Sequence, residues 1–365
     1  MARQLCLDAE GMRLELTSFL KRATESASLN FILGSGCSCP AIPVLGNVEE
    51  TVRKLRDEGR EEEVGRALIG YLKHFTESTN ALLGDPDGDH KVVLQSYSTF
   101  LAVLSGILLE RKSNIAPKHA CIFTTNYDLF FEKAYEEYRG SLVMSDGFDR
   151  RPSLENAAEF STAEFFKSIS KRGTLYSYEV QLPSASLLKL HGSLNWHADG
   201  SRILCSVKRA KELEQRIQEL ERPGQFDEYS SLIEDLPLIM PVGEKHRDTL
   251  LVQIYYDLLR IYPNELDKEN VLLLACGVSF DDEHILEITR RSLRNPTLRL
   301  VIFSHTQKGA EGYASKYEDH ENVDIVYSKK SLISFTSFSE LLKDVLPTIH
   351  GSSEGVDGAG EDADG

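Results

Sequence analysis

The chain has 365 residues, 41% of them hydrophobic, and a formal net charge of −16. That is enough apolar material for one large domain or two smaller ones, while a field of that sign repels a nucleic-acid backbone and disfavours DNA or RNA as a direct partner. Six cysteines in a chain this long make no disulfide framework, and without a CxxC pair a zinc site has little support, so reduced thiols and no metal are expected.

Residues 1–20 are amphipathic and carry Asp8, Glu10 and Glu15, which is not the pattern of a secretory leader; a cytoplasmic protein is expected. NFILG (30–34) reads as a buried strand and runs into GSGCS (34–38). VEETVRKLRDEGREEEVGRALIGYLKHF (48–75) returns apolar residues at helical spacing, and STFLAVLSGILLER (98–111) reads as a helix buried on most sides. The runs FLAVLSGILL (100–109) and VLLLACGV (271–278) are too short to span a bilayer, so no membrane partner is expected. ACIFTT (120–125) is the next strand, followed directly by the helix DLFFEKAYEEY (128–138). The cluster Lys167, Lys171 and Arg172, like the pair Lys329 and Lys330, is too small for a basic patch. SLLKLHG (186–192) is a strand. AKELEQRIQELE (210–221) aligns Leu213, Ile217 and Leu220 on one face, as an ordinary insertion helix or an oligomer contact. PLIMPV (237–242) is a strand or a loop, and TLLVQIYYDLLRIY (249–262) a helix. VLLLACG (271–277), the helix DDEHILEITRRSLR (281–294), LRLVIF (298–303) and VDIVYS (323–328) follow. The end, GSSEGVDGAGEDADG (351–365), holds five glycines and five acids and is too polar to bury a core; a disordered acidic tail is expected.

Nearly continuous apolar strands alternating with helices predict an α/β fold: a Rossmann-like parallel sheet with helices on both faces. Helical material at about 48–115 and 205–265 exceeds what crossovers need and reads as insertions into one domain, 1–350. Four strand-end segments then fall on one predicted sheet edge, where parallel sheets bind ligands: GSGCS (34–38), TTNYD (124–128), LHGSLNWH (190–197) and GVSFDDEH (277–284). Gly34 and Gly36 suit either a tight strand-to-helix turn or close approach of a pyrophosphate. GxG alone, with no third glycine and no acid at a strand end some twenty residues on, is not the usual dehydrogenase fingerprint. Asn126 and Asp128 are good helix caps, which explains one of them. His191 at a strand end beside that pair is a candidate proton acceptor near neutrality. Trp196 and His197 shape a rim or pack on the surface.

In this order, GSGCS with Ala41-Ile42-Pro43, TTNYD, LHG and GVS resemble the Gly-Ala-Gly-x-Ser, Ile-Pro, Thr-Gln-Asn-x-Asp, His-Gly and Gly-Thr-Ser motifs of sirtuins, over roughly 30–305. The variants TTNYD, LHGSLNW and GVSFDDEH look most like the sirtuin-like NAD hydrolases of bacterial antiviral defence. The resemblance implies an NAD site. Gly34, Ser35, Gly36 and Ser38 would face the pyrophosphate, with Thr125 beside them. Asn126 would hold the nicotinamide ribose and the attacking water, Asp128 would bind the carboxamide or order the loop, and His191 would be the general base. Gly277 and Ser279 would contact the adenosine half, with Ser304 standing where the family usually has an asparagine. The chain departs from the deacylating members: it has no paired CxxC ribbon, and Val44-Leu45-Gly46 replaces their Asp-Phe-Arg.

The resemblance therefore implies an NAD glycohydrolase that depletes NAD on infection, homo-oligomeric and controlled by a HerA-like hexameric ATPase. The alternatives are an NAD-dependent protein deacylase and a non-catalytic NAD or ADP-ribose sensor. Retention of Asn126, Asp128 and His191 together speaks against the sensor, which needs no base.

Overall fold

The computed structural model describes residues 1–44, 48–112, 116–150, 158–173, 178–200, 202–220 and 249–346, together with Leu232 and Leu238. The expected acidic tail lies outside these residues, as does PLIMPV except for Leu238.

The chain opens with β1 (Arg3–Cys6), α1 (Met12–Ser26) and β2 (Ser28–Leu33), and continues through three helices, α2 (Val48–Asp57), α3 (Glu61–Leu83) and α4 (Gly88–Glu110). The single helix expected over 48–75 is thus two. Gly59 breaks it by adopting φ +71°, the left-handed conformation that closes helices at little cost to glycine. Next come β3 (His119–Thr124), α5 (Phe130–Glu137) and the short strands β4 (Val143–Ser145), β5 (Phe148–Asp149), β6 (Ala158–Phe160), β7 (Ser170–Arg172) and β8 (Glu179–Gln181). β9 (Ser184–Lys189), β10 (Trp196–Asp199), β11 (Arg202–Cys205), α6 (Val207–Leu220) and α7 (Thr249–Leu266) follow. The last part alternates regularly: β12 (Val271–Cys276), α8 (Glu283–Ser292), β13 (Leu298–Phe303), α9 (Gln307–Lys316), β14 (Val323–Tyr327) and α10 (Phe335–Lys343).

Eight strands form one sheet in the order β1-β14-β13-β12-β2-β3-β9-β4, and every pairing in it is parallel. Its inner strands, from β14 across to β9, are buried on both sides, which is why they read as nearly unbroken apolar runs, while the edge strands β1 and β4 are more exposed. In β12, Leu272 and Leu274 join a core with Phe31, Phe100 of α4 and Phe338 of α10. Val271, Leu273 and Ala275 face the other way, into a core with Leu258 of α7, Ile285 of α8 and Ala310 of α9. The period-two alternation of a strand divides one hydrophobic segment between two layers of helices.

α4 is long and apolar enough, by length and composition, to cross a bilayer, although 61% of its most apolar window is buried inside the fold. The helix extends ten residues further toward the N-terminus than the stretch 98–111 read from sequence, because the polar start at Gly88 hides its continuity. A four-stranded sheet, β10-β11-β6-β5, and the hairpin β7–β8 complete the described structure.

Candidate active site

From β2 the chain proceeds to β3 on one side and later to β12 on the other. The strand order reverses at β2, and that is where an open parallel sheet leaves a crevice beyond its strand ends. The segments 34–38, 124–128, 190–197 and 277–284 all leave the C-terminal ends of β2, β3, β9 and β12, so the fold gathers all four at one edge.

The two glycine turns lock into each other. Gly36 N donates to Gly277 O at 2.9 Å, Cys37 N to Gly34 O at 3.0 Å, and Gly34 N to Cys276 O at 3.1 Å. A Cβ on Gly34 would lie 2.5 Å from Gly277 O, and one on Gly277, itself at φ +66°, would lie 2.6 Å from Cys37 N. The glycines are required by backbone-on-backbone packing between neighbouring strand ends, and the N–H groups of Gly36 and Cys37 are already engaged there.

Asn126 lies at the centre. Its Nδ2 donates to Gly34 O and to Ser38 Oγ, both at 3.1 Å. Ser38 Oγ in turn donates to Asp128 Oδ2 at 2.7 Å and lies 2.9 Å from Tyr97 Oη. Asp128 Oδ1 accepts from Phe130 N at 3.2 Å, at the start of α5. Asp128 precedes the N-cap, Leu129, and meets the first helical N–H with one oxygen while its second oxygen serves the network. Burial pushes the Asp128 carboxyl up, opposed by Lys189 and the hydrogen bonds it accepts. Burial also pushes the Tyr97 phenol up, keeping it neutral. The amide of Asn126 is 7% exposed, and its Oδ1 is buried with no hydrogen-bond partner. An orphaned buried acceptor costs on the order of 1–3 kcal/mol unless something meets it.

Lys189, the last residue of β9, is 3% exposed and ties the loops together. Its Nζ donates to Asp128 O and to Ser193 Oγ and pairs with Glu132 of α5 at 2.7 Å. Two residues on, His191 Nε2 lies 3.2 Å from Asp282 Oδ2. Burial opposes ionisation of Asp282, but the hydrogen bond and charge of His191 and the N–H of Ile285 outweigh it and hold the carboxyl down at about 2. The His191 ring stands 6.4 Å from that of Tyr127.

The other expected site residues fall in two groups. Ser35 and Ser279 are exposed at the edge and Thr125 is half-buried there. Ser38 and Ser304 are buried; Ser38 faces Asp128 in the interior network, and Ser304 Oγ donates to Thr306 O at 2.8 Å within its own turn. Trp196 is a core residue, packed against Phe148 and Phe160. Three members are not singled out by sequence. Tyr97 is in a helical insertion far from the motifs along the chain; Lys189 looks like the polar interruption of a strand; Asp282 is explained as the cap of α8. Asp282 alone has a sequence signal, as the acid of GVSFDDEH.

A cavity of about 180 Å³ lies elsewhere, lined by His119, Ser184, Ser186, Glu265 and Lys268 among others. It sits at the opposite end of the sheet, where β3 and β9 begin. His119, pushed down to about 4 chiefly by burial, is met by Ser184 and Ser186. Among the described residues no cluster of His, Cys, Asp or Glu is placed to hold a metal.

Residues 120–326, more than half of the chain, match the SIR2-like domain. The chain belongs to the SIR2-like family. The SIR2-like domain implies an NAD-dependent, sirtuin-like enzyme, and the large parallel sheet with helices on both sides is the Rossmann-type fold expected of it. In structure the chain is similar to Sir2Tm, solved with a propionylated peptide, at 16% identity and a TM-score of 0.43 over 89% of this chain and 96% of that one. No curated protein matches the sequence.

Proposed function

We propose that this SIR2-like chain is an NAD glycohydrolase: it cleaves the nicotinamide–ribose bond of NAD with water, giving ADP-ribose, nicotinamide and a proton. The observation that carries the reading is Asn126. Its amide is fixed by Gly34 and Ser38 while its Oδ1 is left buried and unpaired, at the sheet edge that also carries His191. That is an acceptor built to receive a hydroxyl or water.

Bond cleavage develops oxocarbenium character on the ribose, and nicotinamide leaves as a neutral molecule, so no strong general acid is needed. What the site must supply is position and polar stabilisation. Asn126 Oδ1 would orient the ribose or the attacking water. Asp128, Ser38 and Tyr97 keep that amide from rotating. His191 would take the proton from the water, a contribution of about 10²–10⁴-fold. Gly34, Ser35, Gly36 and Thr125 would line the nucleotide at its phosphates, with Gly277, Ser279 and the buried turn of Ser304 on the adenosine side.

The sequence resemblance supports a defence effector that depletes NAD. Such an activity is toxic when uncontrolled, which favours regulation by assembly: a homo-oligomer working with a HerA-like ATPase. The deciding experiment is NAD consumption with chromatography of products, wild type beside Asn126→Ala, with and without that ATPase. Release of nicotinamide and ADP-ribose by wild type only is expected. Release that depends on an acyl-lysine peptide would replace the hydrolase by a deacylase. Silence under both conditions, with NAD bound, would overturn the enzyme reading.

A further inference from the structure

The contact between His191 and Asp282 joins distant parts of the sheet. β9 and β12 are separated by β2 and β3, roughly 14 Å at ordinary strand spacing. The loops after them nevertheless meet, with His191 Nε2 3.2 Å from Asp282 Oδ2.

The carboxylate is itself immobilised. Asp282 Oδ1 accepts from Ile285 N at 2.9 Å and caps α8, so its second oxygen has one direction left. Among the described residues, Tyr127 presents its ring to His191 and faces the charge of Asp282, and His284 acts on Asp282 through its charge. Among the described residues, no hydrogen bond reaches His191 Nδ1.

We propose that Asp282 is the positioning residue of His191: by accepting the Nε2–H it fixes the neutral ring in one tautomer and leaves Nδ1 as the ring's proton acceptor. This rests on the hydrolase reading for its consequence in turnover, though not for the tautomer itself. The logic is that of a buried carboxylate holding a catalytic histidine, where the matching amide leaves geometry intact and inverts the tautomer. Asp282→Asn would do so here. The cap on Ile285 N needs an oxygen, so the amide nitrogen takes the place of Oδ2 and donates to Nε2. The ring proton is then driven to Nδ1.

The test is nitrogen NMR of the His191 ring in the full chain, with steady-state kinetics alongside. Wild type is expected to show the Nε2–H tautomer and Asp282→Asn the Nδ1–H tautomer, with kcat down by about 10²-fold or more and KM nearly unchanged. Asp282→Glu should restore part of both. Asp282→Ser retains a cap and removes the carboxylate, which separates loss of the pair from loss of the helix start; it should lose the tautomer preference while still folding cooperatively. The same tautomer in wild type and Asp282→Asn would overturn the inference whether or not NAD is consumed. A switched tautomer in a wild-type protein that never consumes NAD would sustain the inference and remove the hydrolase.

Discussion

Two acids of the site respond to pH in opposite senses. Asp282 is held down at about 2 despite burial, by His191 and Ile285 N, against about 3.9 in an unfolded chain. The unfolded state binds its proton first as pH falls, so the stability it contributes is present above about pH 4 and is lost towards pH 2. Asp128 is raised by burial, with Lys189 and its donors offsetting only part. Its folded form holds the proton more tightly, so its contribution is present below about pH 4 and is lost as pH rises through the folded value. Melting temperature measured from pH 2 to 7 therefore has two expected signatures. Asp282→Asn flattens the loss on the acid side, and Asp128→Asn flattens the decline above about pH 4. Identical pH profiles for Asp282→Asn and wild type would remove the ion pair from the energetics. Asn126, Asp128 and His191 are legible in the sequence, because their residue types recur at strand ends that a parallel sheet must bring together. Their partners are less so: Tyr97 and Lys189 reach the site through tertiary folding that no local pattern encodes, and Asp282 lies in the strand-end segment GVSFDDEH but reads there as a helix cap.

At the scale of elements, the crevice is held by two devices. The first is the interlock of the turns after β2 and β12. Gly277→Ala places a Cβ 2.6 Å from Cys37 N at a φ of +66°, which should cost at least about 1–3 kcal/mol; the urea midpoint checks this. By residue type the glycines of the first turn suit a tight turn and a phosphate equally, and packing explains them here. The second device is the pair of buried Lys189 and half-buried Glu132 at 2.7 Å. Lys189→Met strips Glu132 and Asp128 O of their cation and should cost about 3–5 kcal/mol. Adding Glu132→Leu should recover much of it by removing the stranded charge; a double mutant no more stable than the single would show that the pair is not the source. The long apolar strands are legible in sequence because burial on both faces leaves no gaps in them. The small sheet is not, since β5, β6, β10 and β11 have two to four residues each, too short for an alternation to show.

For the whole molecule, the sign of the charge and the topology act on the same ligand. The strand order sets the crevice beyond β2, and the sequence order of the four motifs is sufficient to anticipate that edge, since in a parallel sheet every strand ends on the same side. The net charge of −16 gives the chain as a whole a field repelling anions. On the proposed function the substrate NAD and the product ADP-ribose both carry a pyrophosphate, so long-range electrostatics would oppose their approach and local hydrogen bonds would have to supply the affinity. Salt shortens the reach of the field from about 30 Å at 0.01 M to about 8 Å at 0.15 M. ADP-ribose should therefore bind more tightly, chiefly through faster association, as ionic strength rises across that range. Nucleic-acid binding through a basic surface would show the reverse slope. Stopped-flow association at several salt concentrations reads the slope directly. A rate that falls with salt would mean that a local positive field at the crevice outweighs the acidic body, and that the charge of the whole chain does not govern encounter.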